Sequence, residues 1–117
     1  MHELSLCDDL LGQVLALGRQ HQARSIVGIT VHVGGLSGVE PMLLATAFEI
    51  CRVGTLAEQA RLVLEPIPVR VHCNHCGIES ETPNNHLQCP VCQSPDTDMV
   101  SGDELILARV ELDTACV

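Results

Sequence analysis

Apolar residues recur at helical spacing from the start of the chain. Leu4, Cys7, Leu11, Val14 and Gly18 share one stripe, widened by Leu10 and Leu15, which predicts an amphipathic helix over residues 3–21. Asp8 and Asp9 lie early in it, where the helix dipole favours negative charge. From Ser25 to Gly34 the period shortens to two. Val27, Ile29, Val31 and Val33 fall on one face and Ile26, Thr30 and His32 on the other, a strand that Gly34-Gly35 ends. A second helix begins at Pro41, a favoured first helical position, with Leu43, Leu44, Ala47, Phe48 and Cys51 as its apolar stripe and Gly54 as its break. Leu62 to Val71 reads as extended. Pro66 and Pro68 keep it from the centre of a sheet, so it is an edge strand or a crossing point. Residues 72–99 form a cysteine-bearing segment with a turn at Asn84-Asn85, and Gly102-Asp103 leads into a last strand, 104–112, where Ile106, Ala108, Val110 and Leu112 share a face. This strand lies beyond the cysteine segment and is expected to return to the first sheet. The pattern predicts an α+β chain: a small α/β domain, 1–67 and 101–117, with two helices on a three-stranded mixed sheet, and an inserted module at 68–100.

Composition changes the picture of the core. The chain has 117 residues, 46% of them hydrophobic, but Phe48 is its one aromatic residue. A core of Leu, Val, Ile and Ala at this size is thin and favours a staple. The net charge is −9, and all six cationic residues are arginines. Such a chain repels phosphate backbones and lacks rings to stack on bases, which disfavours nucleic-acid binding. Asp8 and Asp9 stand where a signal peptide would be basic, and no apolar run approaches the length of a membrane span. The expected location is cytoplasmic.

Seven cysteines in such a chain point to metal or redox chemistry more than to disulfides. Four form Cys73-Asn74-His75-Cys76 and Cys89-Pro90-Val91-Cys92, with twelve residues between the pairs. Two thiolates three positions apart wrap a turn around one ion, and two such knuckles complete a tetrahedral four-sulfur site, the pattern of a zinc ribbon. Cys7 and Cys51 fall on apolar helix faces as small core residues, and Cys116 sits in the tail.

The terminus offers a second set of donors. In Met1-His2-Glu3 the α-amine, the His2 amide nitrogen and an imidazole nitrogen can close two small chelate rings on one ion. Deprotonating an amide is costly, and metals favouring square-planar nitrogen donors, chiefly Ni(II) or Cu(II), offset that cost. Met1 is expected to be retained, because His2 is too large for efficient removal of the initiator. The plain alternative is a solvated histidine on a frayed end. Glu40 precedes Pro41, and Glu is a poor N-cap. Either Ser37 caps an earlier start, or Glu40 sits as a carboxylate at a helix N-terminus, or it is presented to a metal held by the chain terminus.

Met1-His2-Glu3-Leu4-Ser5-Leu6-Cys7, the segment Gly34-Gly35-Leu36-Ser37-Gly38-Val39-Glu40-Pro41, the helix end Ala47-Phe48-Glu49 and the two Cys-x-x-Cys knuckles together resemble the HypA/HybF hydrogenase nickel-incorporation proteins. The resemblance runs from residue 1 to about residue 112. It implies a two-domain metallochaperone, not an enzyme, that delivers Ni²⁺ to the large subunit of nickel–iron hydrogenase with the GTPase HypB, and in some organisms also serves urease and its accessory proteins. It implies nickel ligands at Met1, His2 and Glu3, with Glu40 as a nearby further ligand or support. It implies structural zinc on Cys73, Cys76, Cys89 and Cys92. His72 and His75 match the family's knuckle histidines loosely and read as solvated residues or neighbours of the zinc shell. A monomer or weak homodimer is expected.

Two other classes compete. A zinc-ribbon interaction or nucleic-acid module would carry a basic, aromatic ribbon, whereas Arg70 alone flanks this one. A thiol redox enzyme built on Cys89-Pro90-Val91-Cys92 would be metal-free with a reactive thiolate. No Ser-His-Asp constellation, phosphate loop or paired-carboxylate motif is present to support other catalysis.

Overall fold

The computed structural model describes residues 2–83 and 86–114, His2 by its backbone alone. The Asn84-Asn85 turn and Cys116 fall outside the described residues. The elements run α1 (His2–Gln20), β1 (Ala23–Gly34), α2 (Pro41–Cys51), β2 (Arg61–Ile67), β3 (Val69–Cys73), β4 (Glu79–Thr82), β5 (Thr97–Ser101) and β6 (Leu105–Thr114). They form two sheets, ordered β2-β1-β6 and β4-β3-β5. No described helix is long and apolar enough to cross a membrane.

The chain divides into two compact units. One comprises Met1–Val31, Val39–Glu65 and Ile106–Val117; the other comprises His32–Gly38 and Pro66–Leu105. The second unit thus takes in the stretch after β1 as well as the cysteine segment, a wider range than 68–100.

In the first unit the two helices pack on the sheet around Cys7, Leu11, Val14, Ile26, Ile29, Val31, Leu44, Ala47 and Phe48, all buried. Glu3 opens α1 and Arg19 closes it, both favourable to the helix dipole. The sheet is mixed for a topological reason. β1 and β2 are joined through α2, and the Gly35 amide donates to the Ile67 carbonyl where both strands end, so they run parallel. β6 runs the other way: Gly34 bonds to Glu104, while Gly28 lies against Glu111. Pro66 is tolerated because β2 is an edge strand, and Pro68 separates β2 from β3. The last strand does return to the first sheet.

The face assignment of β1 needs correcting. Ile26 is buried and Val27 is 48% exposed, the reverse of strict alternation with Ile29 and Val31. The atoms of Ile26 lie over Gly18 of α1, and Ile29 and Val31 line a cavity with Leu10, Leu11 and Val14 of the same helix. Residues of opposite parity therefore face one helix, and strict alternation breaks between Ile26 and Ile29.

α2 is also less symmetrical than its pattern. Leu44, Ala47 and Phe48 are buried, but Leu43 is 54% exposed. The helix end is held by Arg52. Its guanidinium donates to the Ala60 carbonyl at 2.7 Å, pairs with Glu49 at 2.9 Å and lies 5.3 Å from the centroid of the Phe48 ring. The lone aromatic residue thus anchors both core and helix terminus.

Candidate metal centres

The second unit builds its site on a short antiparallel sheet. β3 is central, with Val69, Val71 and Cys73 turned inward and Arg70 and His72 alternating with them. Arg70 pairs across to Glu81, and His72 lies opposite Glu79 on β4 and Asp98 on β5. Cys73 ends the strand, and the chain turns at once. Gly77, at φ +78°, donates its amide to the Cys73 carbonyl at 2.9 Å. The second knuckle repeats this step: Gln93, at φ +64°, donates to the Cys89 carbonyl at 2.9 Å. Each leading cysteine is thus followed four residues later by a left-handed residue that closes the turn.

The turns bring four sulfurs together. The Sγ atoms of Cys73, Cys76, Cys89 and Cys92 all lie within 4.8 Å of one another, with Cys73–Cys92 at 3.5 Å and Cys76–Cys89 at 3.8 Å. A tetrahedral ion with metal–sulfur bonds of about 2.3 Å needs its sulfurs about 3.8 Å apart, so the donor set fits zinc. Backbone amides support the leading thiols. His75 and Cys76 each donate to Cys73 Sγ at 3.3 Å, and Cys92 donates to Cys89 Sγ at 3.5 Å.

These bonds sort the four thiols. The Cys92 amide holds the Cys89 thiol down at about 6, and the Cys76 amide lowers Cys73 likewise. Cys92 receives an amide bond from Ser94, yet loss of water around its sulfur and the neighbouring Cys73, Cys89 and Cys76 sulfurs hold it up at about 12. Two thiols ionise readily, and the other two face them. A divalent cation is the group that lets all four be thiolates together.

Residues beyond the cysteines complete this centre, and spacing alone did not single them out. The Asn74 amide side chain donates to Asp96 at 3.1 Å and to Asp98 at 3.2 Å, while its backbone amide bonds to the Asp96 carbonyl. Thr97 Oγ1 donates to the Leu87 carbonyl at 2.7 Å. The available sequence signal was Asn inside the first knuckle with Asp-Thr-Asp beyond the second. His75 contributes its backbone amide, and its residue is exposed.

The terminal set is placed differently. Met1 and the side chain of His2 lie outside the described residues. α1 starts at His2, so the first-turn amide nitrogens, Glu3 included, have no partner within the helix. Glu3 lines a groove with Leu4 and with Leu43, Thr46, Ala47 and Ile50 of α2. Glu40 is the N-cap of α2 after all: it is extended at φ −87°, and its Oε1 accepts from the Met42 amide at 3.3 Å. Ser37 does not cap an earlier start. Among the described residues neither Glu3 nor Glu40 belongs to a cluster of three or more metal-binding side chains.

Residues 1–112 match the family described as hydrogenase/urease nickel incorporation, metallochaperone, HypA. The chain is 39% identical over 113 residues to the hydrogenase maturation factor HypA of Aquifex aeolicus, covering 97% of this chain and 98% of that one. It is 42% identical over 114 residues to the HypA of Nitrosospira multiformis, with 97% and 99% covered. Its fold is similar to a solution structure of a HypA protein, at a TM-score of 0.72 and 25% identity over 96% of each chain. It is also similar to that of the nickel metallochaperone HypA from Helicobacter pylori, at 0.69 and 23% identity over 97% of this chain and 98% of that one.

Proposed function

Since the chain belongs to the HypA family of nickel-incorporation metallochaperones, we propose that it binds one Ni(II) at its N-terminus and passes it to the large subunit of nickel–iron hydrogenase, with a HypB-type GTPase as partner. The ligands are the Met1 amine, the His2 imidazole and the backbone nitrogens of His2 and Glu3. The observation that carries this reading is the start of α1 at His2. A helix leaves its first amides without internal acceptors, so nitrogen donors are available to an ion at no loss of helical hydrogen bonds. Glu40 has a supporting part in this reading: its bond to Met42 fixes the start of α2. Zinc at Cys73, Cys76, Cys89 and Cys92 is structural, held by four sulfurs and not passed on.

The two centres suit different tasks. Four clustered thiolates retain an ion; a few nitrogen donors at a chain terminus hold one in an open shell that a client can enter. Cu(II) binds most nitrogen sites more tightly than Ni(II), so availability and docking supply the discrimination. The same terminal site would serve a urease client, and activation assays with each enzyme decide between the two.

The test is calorimetric titration of Ni²⁺ into untagged protein, His2→Ala, Glu40→Ala and a form with one residue added before Met1. One nickel per chain is expected for the untagged protein. His2→Ala and the extended form lose it, while Glu40→Ala keeps the stoichiometry and is less stable by about 0.5–1 kcal/mol from the lost cap. Equal nickel binding by all four proteins removes the terminal site.

A further inference from the structure

Two of the cysteines outside both metal centres, Cys7 and Cys51, lie on packed helices of the first unit. Cys7 on α1 is 2% exposed and lines a cavity with Leu44 and Phe48 of α2. Cys51 is the last residue of α2, one turn beyond Ala47 and Phe48, and is half-buried. α1 packs directly on α2, and where they meet each thiol shifts the other's ionisation and Asp8 of α1 acts on both. Among the described residues the four ribbon cysteines form the sole cluster of three or more metal-binding groups, so this pair lacks the further donors of a zinc site. Adjacent thiols on two packed helices are one covalent bond away from an interhelical link.

We propose that Cys7 and Cys51 are a modification site, a dithiol that a small disulfide of the glutathione class converts into an interhelical disulfide. Cys51, the more accessible thiol, gives its proton to solvent, and its sulfur attacks one sulfur of the small disulfide. The small disulfide's bond breaks, and one small thiolate leaves and takes up a proton. Cys7 then loses its proton and attacks Cys51 Sγ in the mixed disulfide, and the second small thiolate leaves and is protonated. Two protein thiols are oxidised and one small disulfide is reduced to two thiols. Burial pushes the Cys7 thiol up to about 12 and raises Cys51 as well, which makes Cys7 the resolving partner and the exchange slow at neutral pH. Cys7 lies less than two helical turns from His2, so the link pins the helix that carries the terminal nitrogens.

The test uses the reduced, zinc-supplemented full chain incubated with oxidised glutathione, quenched by alkylation and read by peptide mass spectrometry. A Cys7–Cys51 linked peptide is expected, with the four ribbon cysteines unlinked. Its rate rises about tenfold per pH unit below the pKa of the attacking thiol. Cys7→Ser stops at a glutathione adduct on Cys51, and Cys51→Ser reacts at neither position. Circular dichroism checks that each variant folds, with Cys7→Ala in reserve for a serine that disturbs the core. A stable glutathione adduct on wild-type Cys51, a Cys51–Cys116 link, or no reaction at either helix overturns the proposal. None of these readouts involves nickel, so the outcome is independent of the terminal site.

Discussion

Cys7 shows at the scale of one residue what an aliphatic core does to a charge. Its thiol is held at about 12, chiefly by burial and then by Cys51 and Asp8. The folded value lies above the ordinary thiol value of 9.0 that the unfolded chain regains. The neutral thiol is therefore favoured by folding: its stability contribution is fully present below about 9 and is lost as pH rises from there through about 12. Urea unfolding of the metal-loaded protein at pH 8 and pH 10.5 should show a falling midpoint in the wild type and a smaller fall in Cys7→Ala. Equal falls in the two proteins would mean that other groups govern the alkaline limb. Glu40 shows the opposite economy. A poor capping residue by statistics caps here because Pro41 fixes the helix start and leaves the Met42 amide in reach of its carboxylate.

Among the elements, the two knuckles make the sharpest comparison, because they share one backbone path with different residues at its left-handed step. Gly77 takes that conformation without a Cβ, whereas Gln93 holds it with one. Gly77→Ala is expected to cost about 1 kcal/mol of ribbon stability, and Gln93→Gly to be neutral or stabilising by up to roughly 1 kcal/mol. Chelator-challenge midpoints for zinc release measure both, and a Gly77→Ala protein that holds zinc as well as wild type contradicts the strain argument. The symmetry also explains what could be read from sequence. Cysteine pairs at fixed spacing declare a site because the chemistry itself is local. The start of α2 at Pro41 and the edge position of β2 were legible for the same reason, each set by a proline. The break in alternation between Ile26 and Ile29 was not, because an apolar run carries no mark of where its buried face changes. Nor was the exposure of Leu43, since periodicity ranks positions on a helix without saying where the neighbouring helix stops. The meeting of Cys7 with Cys51 depends on helix packing, which no spacing encodes.

For the whole molecule, the decisive contrast is between a unit with an apolar core and a unit gathered around four cysteines. The first buries Val14, Ile26, Val31 and Leu44 almost completely. The second has few such residues beyond Val33, Val69 and Val71 around its buried Cys73 and Cys89. Structural zinc contributes roughly 10–16 kcal/mol in small zinc peptides at neutral pH, far more than so small a core can supply. Chelation should therefore abolish amide protection at Val69 and Val71 while Val31 and Leu44 stay protected and the helical signal persists. Loss of protection at all four residues at one chelator concentration would show that the units unfold as one. A final consequence lies in the backbone knot where the ribbon begins and ends. Gly35 bonds to Ile67, and Leu36 bonds to Gly102 at 2.6 Å. A Cβ on Gly34 would collide with the Gly102 carbonyl, and one on Gly102 would come 2.8 Å from Val69 Cα. The excursion from β3 to β5 thus leaves and rejoins the chain at one point. That makes it a cassette: a segment of another length, or a short bridge in its place, could be spliced between the same two ends at little extra loop entropy.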